Sequence, residues 1–267
     1  MRLQVLVATM HQKDCFIYQK MNIRCDAVIA NQADCDRVDY FDTSFGKVKM
    51  VTTPTRGVGL NRNHALLAAD ADILLLADDD IVYHDDMPES VISAFDELPE
   101  ADVICFGMNI TKAGRIVEKR TSSVKRLHFW NSMRYGTYRI AIRKKALIDK
   151  NIFFHQAFGG GCPFSAGEDS LFLKTCFDRG LKVYSHNYVL GTCSKDTSTW
   201  FVGYNEKFFY DKGILVYHLF PKSSYLFALY FAIFFKRKTD LNVYQRLKLV
   251  YRGVRAGKFM TPYQERV

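Results

Sequence analysis

Apolar runs and helix-like patterns alternate along the first part of the chain. Strand-like apolar runs occur at residues 5–8, 27–30, 47–51, 73–77 and 102–106, and helix-like spacing occurs at 60–69 and 87–98. Unbroken apolar runs that end in polar clusters are typical of buried parallel strands. The alternation therefore predicts an α/β fold, with a mainly parallel sheet flanked by helices.

The pattern is less regular after these elements. Alternation at 138–143 predicts a strand with one solvated face, and a Gly-rich loop at 159–161 precedes a predicted helix at 168–179. The stretch 223–235 is almost wholly apolar, but it is shorter than the roughly 20 residues that cross a bilayer. We therefore predict an α/β domain over residues 1–218 and a helical C-terminal extension over residues 219–267.

Composition and charge narrow the class of protein. The chain has 267 residues and is 48% hydrophobic, which is enough for a substantial core. Its net charge of +9 favours an anionic partner, either nucleic acid, an acidic membrane surface or a phosphorylated ligand. Its seven cysteines show no CxxC spacing, so they indicate neither a disulfide framework nor a structural zinc. The first apolar run is too short for a signal peptide, so we expect a cytoplasmic protein.

Three consecutive carboxylates, Asp78, Asp79 and Asp80, follow the apolar run at 73–77. The carboxyl end of a strand is where open α/β sheets bind ligands. Adjacent carboxylates repel each other unless they are solvated or neutralised by a cation, and hard oxygen ligands suit Mg²⁺ or Mn²⁺. The triplet therefore predicts a divalent-cation site, the alternative being a solvated acidic turn.

Two further motifs carry groups suited to a phosphorylated ligand. Upstream, two glycines permit close backbone approach, and Arg56 and Arg62 offer bidentate donors to phosphate. Without a ligand, this segment would be an ordinary strand-to-helix turn. Downstream, Glu168 and Asp169 open a helix after the Gly-rich loop. Acids are common at the start of a helix because they complement the helix dipole. Glu168 and Asp169 could therefore either stabilise the helix or include a catalytic base.

In this order and spacing, the three motifs resemble the glycosyltransferases of family 2, which have the GT-A fold. The resemblance covers residues 3–218. It implies that Asp78, Asp79 and Asp80 form the DxD motif that holds Mn²⁺ or Mg²⁺ against a nucleotide diphosphate, and that Asp169, beside Glu168, is the catalytic base. The metal aspartate aligns with either Asp79 or Asp80.

The resemblance also implies a donor-binding set, with departures from the family pattern. Thr9 ends the first strand, but it follows Ala8 and not the more usual proline. The acidic pair usual after the second strand is replaced by the segment 31–34, which leaves the contact to the nucleobase open between Asn31 and Asp34. Trp200 is either an indole that stacks on the acceptor sugar or a core residue.

These assignments imply an inverting transfer from a nucleotide-diphosphate donor, a UDP-sugar by resemblance, to a saccharide hydroxyl in surface polysaccharide synthesis. The dipole of the helix that Asp169 opens should keep this base ionised near neutral pH. The cation and Arg56 or Arg62 would stabilise the negative charge on the departing diphosphate, and Asp78 would belong to the donor-binding set as well as to the metal site. The alternatives are a metal-dependent nucleotidyltransferase and a basic nucleic-acid-binding protein; the glycosyltransferase interpretation requires no nucleic acid.

The C-terminal apolar stretch suggests where such an enzyme would work. Residues 225–235 follow Lys222 and precede the basic run 236–238. Apolar burial and basic attraction add at an anionic membrane surface. The sequence therefore predicts a peripheral protein on the inner face of the cell membrane, where a lipid-linked acceptor would be within reach. The alternative is a helix that packs on the α/β domain or forms an oligomer contact.

Overall fold

A computed structural model describes residues 1–120, 123–194, 203–235 and 239–264. Within these residues the chain forms one sheet of eleven strands, together with nine α-helices. The strands are β1 (Leu3–Met10), β2 (Asp26–Gln32), β3 (Arg37–Asp42), β4 (Lys47–Thr53), β5 (Ile73–Asp78), β6 (Ile81–Tyr83), β7 (Val103–Lys112), β8 (Arg115–Arg120), β9 (Lys125–Arg126), β10 (Ile140–Arg143) and β11 (Val183–Ser194). The helices are α1 (Phe16–Lys20), α2 (Val58–Ala68), α3 (Met87–Glu97), α4 (Phe129–Ser132), α5 (Lys144–Lys150), α6 (Glu168–Asp178), α7 (Glu206–Leu219), α8 (Ser224–Phe234) and α9 (Val243–Gly257).

Four adjacent strands of the sheet run in the same direction. The strand order is β3-β4-β2-β1-β5-β10-β7-β11-β6, with β8 paired to β7 and β9 paired to β11. Strands β4, β2, β1 and β5 run parallel to one another, and β11 runs parallel to β7. Strands β3 and β10, on either side of this group, are antiparallel to it. The chain leaves β1 toward β2 and β4, then returns through α2 to β5 on the other side of β1. The connection therefore reverses direction beside β1, and such a switch point opens a crevice at the carboxyl ends of the strands.

The sheet separates two apolar layers because successive side chains on a strand point to opposite faces. Val5 and Val7 pack with residues of α1 and α3, whereas Leu6 packs with residues of α2, α5 and α6. The apolar runs of β1, β2 and β5 are unbroken because both of their faces are covered. The predicted α/β fold class is confirmed.

One strand prediction was wrong in its exposure. The segment predicted as a strand with one solvated face is a 3₁₀ turn, Thr137–Arg139, followed by β10, whose Ile140–Ile142 side chains are all buried. β10 lies antiparallel between β5 and β7, in the middle of the sheet. The flanking Arg139 and Arg143 produced the misleading alternation. Their Nε atoms donate to the carbonyl oxygens of Phe106 and Ala101, at 2.8 and 2.9 Å.

The last three helices pack on one another at the C-terminal end. Helices α7 and α9 touch where Gly213 faces Gly253, and a Cβ at Gly213 would lie 2.0 Å from the Val250 carbonyl oxygen. A side chain at either glycine would therefore push the helices apart. In the part of the chain that the structure describes, no helix is both long and apolar enough to cross a membrane. The predicted domain boundary after residue 218 falls at the end of α7 and stays a prediction.

Candidate active site

The carboxyl ends of three parallel strands meet at the switch point. Thr9 of β1 pairs with Asn31 of β2, and Ala8 pairs with Asp78 of β5. The ends of the three strands therefore lie at one edge of the sheet, with Asp78 one register position before Thr9 and Asn31. The Asn61 side chain, from α2, donates to the carbonyl oxygens of Thr9 and Ala30, at 3.1 and 2.8 Å, and so ties the ends of β1 and β2 to the helix.

Three consecutive residues of α2 point three ways, since neighbours on a helix are about 100° apart. Asn61 holds the two strands, and the amide of Asn63 exchanges two hydrogen bonds with the backbone of Phe154, at 2.9 and 2.8 Å. Between them, Arg62 enters the crevice, and its side chain is only 6% exposed. Arg62 is therefore fixed from both sides by its neighbours, which the sequence motif alone did not reveal.

Arg62 is buried at the centre of a cluster of half-buried carboxylates. Its guanidinium is 2.7 Å from Asp78 Oδ1, 3.3 Å from Glu168 Oε1 and 3.5 Å from Asp169 Oδ1. Burial alone would lower the pKa of Arg62, but the three carboxylates outweigh it and raise the pKa. Arg62 therefore stays charged and joins the end of β5 to the start of α6. One cation for three acids leaves this cluster with an excess of negative charge.

The surroundings of Asp169 shift its pKa toward neutral pH. Burial, with the charge of Glu168, raises the pKa of Asp169 to about 7, although Arg62 and a short hydrogen bond from the Thr137 hydroxyl oppose the rise. The prediction that the helix dipole keeps Asp169 ionised near neutral pH was therefore wrong: desolvation and carboxylate repulsion exceed the dipole's effect. A carboxyl group that titrates near pH 7 suits general-base catalysis.

The other two aspartates of the triplet differ in their surroundings. Asp79 Oδ2 accepts a hydrogen bond of 2.6 Å from the Thr9 hydroxyl. Asp80 Oδ2 accepts one from the Cys193 thiol at 3.5 Å, while Asp80 Oδ1 is buried with no hydrogen-bond partner among the described residues. Burial and the charge of Asp78 raise the pKa of Asp80 to about 6. A buried carboxylate oxygen without a donor is costly, and a cation would relieve that cost.

The carboxylates at this edge fit a divalent cation of the Mg²⁺ or Mn²⁺ type. Within the described ranges, no three His, Cys, Asp or Glu side chains converge on a metal position by themselves. Mg²⁺ in nucleotide enzymes usually takes one or two carboxylates, and substrate phosphates and waters complete its octahedron. Asp79 and Asp80 could supply such carboxylates, so a partial protein ligand set is what this chemistry requires.

A single open cavity joins most of the predicted site residues. It has a volume of about 770 Å³. Six predicted residues line it: Thr9, Arg62, Asp78, Asp79, Asp80 and Glu168. Asp169 adjoins it through Arg62. The structure thus brings together residues that are up to 160 positions apart in the chain.

The remaining predicted residues lie elsewhere. Asn31 is completely buried, and its side chain is bonded to the backbone of Gln12, so it lies beneath the cavity surface. Asp34 and Arg56 form an exposed ion pair with each other and do not line the cavity. Trp200 lies outside the described residues.

Helix α7 holds the loop that precedes the Glu168–Asp169 pair. Asp211 is buried and accepts hydrogen bonds from the backbone nitrogen and the hydroxyl of Ser165, at 3.0 and 2.9 Å. Leu215, one turn further along, packs against Gly167, whose φ of +117° is accessible mainly to glycine. The start of α6 is therefore positioned by a helix whose contribution no sequence motif indicated.

Part of the chain is similar in sequence to a known protein family. Residues 36–158 match the sequence profile of glycosyl transferase family 2. The resemblance to family 2 is confirmed over this segment. No curated protein sequence matches the chain significantly. The matching profile supports glycosyltransferase activity.

Solved structures of S. aureus TarS share the fold. TarS 1–349 in complex with UDP-GlcNAc superposes with a TM-score of 0.57 at 16% identity, over 97% of this chain and 73% of that one. TarS 1–349 without a named ligand gives 0.55 at 15% identity, over 97% and 72%. A longer TarS chain gives 0.55 at 13% identity, over 94% of this chain and 43% of that one. The GT-A fold class is thereby confirmed.

Two residues that line the cavity were not found from the sequence. Gln12 follows β1, and its amide donates to the Thr9 hydroxyl at 3.1 Å. Gln32 ends β2, and its amide donates to the carbonyl oxygens of Thr55 and Gly57, both at 3.2 Å. Both glutamines line the cavity near the strand ends. Their positions just after the first two apolar runs were the only available signal.

Proposed function

We propose that the protein is a metal-dependent, inverting glycosyltransferase that moves a sugar from a UDP-sugar to a saccharide hydroxyl. One observation carries the proposal. Arg62 joins Asp78, at the end of a central strand, to the Glu168–Asp169 pair at the start of α6. Arg62, Asp78 and Glu168 line one cavity, and Asp169 adjoins it through Arg62. This arrangement brings a site for a diphosphate and a candidate base together, as glycosyl transfer requires.

The donor would lie along the strand ends. Thr9, Gln12 and Gln32 offer hydroxyl and amide groups to the cavity near the ends of β1 and β2, and these groups suit a nucleobase and ribose. Asn31 would shape this region indirectly, because it fixes the backbone of Gln12. The UDP-GlcNAc complex of TarS, which has the same fold, supports a UDP-sugar as donor.

The metal site would involve the aspartate triplet. Asp79 or Asp80 would hold Mn²⁺ or Mg²⁺, while Asp78 would stay in its ion pair with Arg62. A bound cation would neutralise charge that develops on the departing diphosphate. Arg56, which pairs with Asp34 on the surface, would have to leave this partner to reach a phosphate.

Asp169 would act as the base. In its ionised form it would accept the proton of the acceptor hydroxyl while that oxygen attacks the anomeric carbon from the side opposite the diphosphate. A single in-line displacement inverts the configuration at that carbon. Glu168 lies in the same cluster, but its Oε2 accepts a hydrogen bond from the Gly167 nitrogen at 3.1 Å. Glu168 therefore positions the helix start, and Asp169 carries the proton.

The acceptor and the place of reaction complete the proposal. A saccharide, attached to a lipid and destined for a surface polysaccharide, would stack on Trp200. The enzyme would work in the cytoplasm, where the thiols of its seven cysteines stay reduced, at the inner face of the cell membrane.

A donor screen followed by turnover assays tests the proposal. Thermal unfolding with a panel of nucleotide sugars, with and without Mn²⁺, should single out one donor, since a ligand at 100 times its dissociation constant stabilises by about 2.7 kcal/mol. With that donor, Asp169→Asn should lower turnover by about 10²–10⁴-fold, the usual contribution of a general base. The exposed Asp149→Asn is the matched control and should retain full activity.

The same assay separates the alternatives. Release of UDP with an inverted product supports the proposal, and release of pyrophosphate would indicate a nucleotidyltransferase. Asp79→Asn and Asp80→Asn should each reduce turnover, and one should abolish the response to Mn²⁺. Full activity in excess chelator would refute metal dependence. Trp200→Ala should raise the KM for the acceptor and leave the KM for the donor unchanged.

A further inference from the structure

The outward face of α8 is apolar and lies in solvent. Leu226, Tyr230 and Phe234 follow one another at intervals of four residues and are 65%, 60% and 63% exposed. The opposite face, with Ala228 and Ala232 completely buried, packs on α7 and α9. In the described part of the chain nothing covers the outward face. A contiguous exposed apolar surface of this kind marks an interaction site.

Helix α9 extends this surface with aromatic and basic side chains. The ring of Tyr225, on α8, is 5.3 Å from that of Tyr251, on α9. Tyr244, Lys248 and Arg255 lie seven and three residues before Tyr251 and four after it, so they share its side of the helix. All three are exposed. A stripe of tyrosine and basic residues therefore borders the apolar face of α8.

The charge of the chain is concentrated in this region. Residues 219–267 contain ten Lys and Arg residues but only two Asp and Glu residues, a net charge of +8 out of +9 for the whole chain. Lys222 lies two residues before the start of α8 and is exposed. The basic run 236–238 follows α8 in the sequence. The rest of the chain is nearly neutral, so the partner of this region carries negative charge.

An anionic bilayer fits these features better than a protein does. Helix α8 has 11 residues, which at about 1.5 Å each cannot cross the hydrocarbon. Apolar side chains on one face, with tyrosines and basic residues at its border, are typical of helices that lie in the interface plane. We propose that the outward face of α8 and the Tyr244–Arg255 stripe of α9 bind the headgroup layer of an anionic membrane.

The position of α7 relates this surface to the cavity. One side of α7 packs on the loop before Asp169 through Leu215, and Phe209 of α7 contacts Phe231 of α8 at a ring distance of 6.1 Å. Helix α7 therefore lies between α8 and that loop, and packed helix axes are about 10 Å apart. This relation to a lipid-linked acceptor rests on the proposed function, whereas membrane binding itself does not.

Vesicle flotation of the full chain tests the proposal. The wild type should float with phosphatidylcholine vesicles that contain about 30 mol% phosphatidylglycerol and much less with phosphatidylcholine alone. Leu226→Ser, Tyr230→Ser and Phe234→Ser, combined, should lower the partition coefficient by at least about tenfold, because three apolar side chains no longer enter the lipid. Leu67→Ser, Ile148→Ser and Phe153→Ser, combined, are the matched control, since these exposed residues lie on another face.

A second pair of variants tests the charge, and does not depend on α8. Lys248→Glu with Arg255→Glu should lower binding to the anionic vesicles by at least about fivefold for each basic residue replaced, whereas Lys145→Glu with Lys150→Glu, on α5, should not. Equal flotation of the wild type and the α8 variant would overturn the proposal. A wild-type dimer that the α8 substitutions dissociate, with no binding to vesicles, would also overturn it and identify the face as a contact between copies. No flotation result depends on sugar transfer, so failure here leaves the proposed activity standing.

Discussion

The pKa of Asp169 gives the proposed reaction a specific dependence on pH. Only the ionised carboxylate accepts a proton, and burial beside Glu168 raises its pKa to about 7. At pH 8 about nine-tenths of the base is ionised and at pH 6 about one-tenth, so the acceptor kcat/KM should fall roughly tenfold between these values. An unperturbed aspartate, with a pKa near 4, would give a flat profile over this range.

The fall in kcat/KM toward low pH is the acidic limb of the pH profile. Two substitutions should move this limb in opposite directions. The Thr137 hydroxyl donates to Asp169 Oδ1 and stabilises its ionised form, so Thr137→Val should shift the limb to higher pH. The charge of Glu168 disfavours ionisation, so Glu168→Gln should shift it to lower pH. Thr175→Val is the matched control. Thr175 lies on α6, the helix that carries Asp169, and its hydroxyl donates to the Leu171 carbonyl oxygen at 2.9 Å. Removal of this hydroxyl should leave the limb in place.

The measurement is kcat/KM for the acceptor from about pH 5.5 to 9, at constant ionic strength and saturating donor. Because the charge of Glu168 acts on Asp169, the direction in which each substitution moves the limb is the informative quantity. A limb near pH 4 in the wild type would refute the burial argument. Movement of both variants in the same direction would show that Asp169 is not the titrating base.

Three further predictions concern stability, each measured by urea unfolding. The folded-state pKa of Asp169 lies above its unfolded value, so stability contributed below about pH 4 is lost as pH rises toward 7; Asp169→Asn should therefore gain more stability relative to the wild type at pH 8 than at pH 5. Arg62→Met should destabilise by about 3–5 kcal/mol, because it leaves three carboxylates without their cation, and by less at pH 5 than at pH 8. Gly167→Ala should cost about 1–3 kcal/mol, because its φ is +117° and a Cβ would lie 2.5 Å from a methyl carbon of Leu215; an unchanged midpoint would show that the loop can adjust.

The central strands and their flanking helices could be predicted because their side chains are sorted by burial alone. β1, β2 and β5 are covered on both faces, so their sequences are unbroken apolar runs. β10 is equally buried, but the arginines beside it donate to main-chain carbonyl oxygens and imitate a solvated face. β11 was not predicted, because its pairing with β7 is irregular and polar residues interrupt its apolar pattern.

The site shows a similar division. The aspartate triplet and the Glu168–Asp169 pair could be located from motifs, because each lies next to a strand end or a helix start. Their union through Arg62 depends on contacts between residues about 100 positions apart, which local pattern does not encode. The hydrogen bond from Thr137 and the clamp of Asp211 on Ser165 are of the same kind.

The contact of Gly213 with Gly253 decides how the C-terminal region can be studied. It brings the backbones of α7 and α9 together, while the same α7 carries Asp211 and Leu215 against the loop before Asp169. A chain shortened to Pro221 would leave the glycine side of α7 in water and loosen the helix that supports that loop. Deletion would then report a folding defect and lost turnover at once. Surface substitutions that keep all three helices are the means of separating attachment from catalysis.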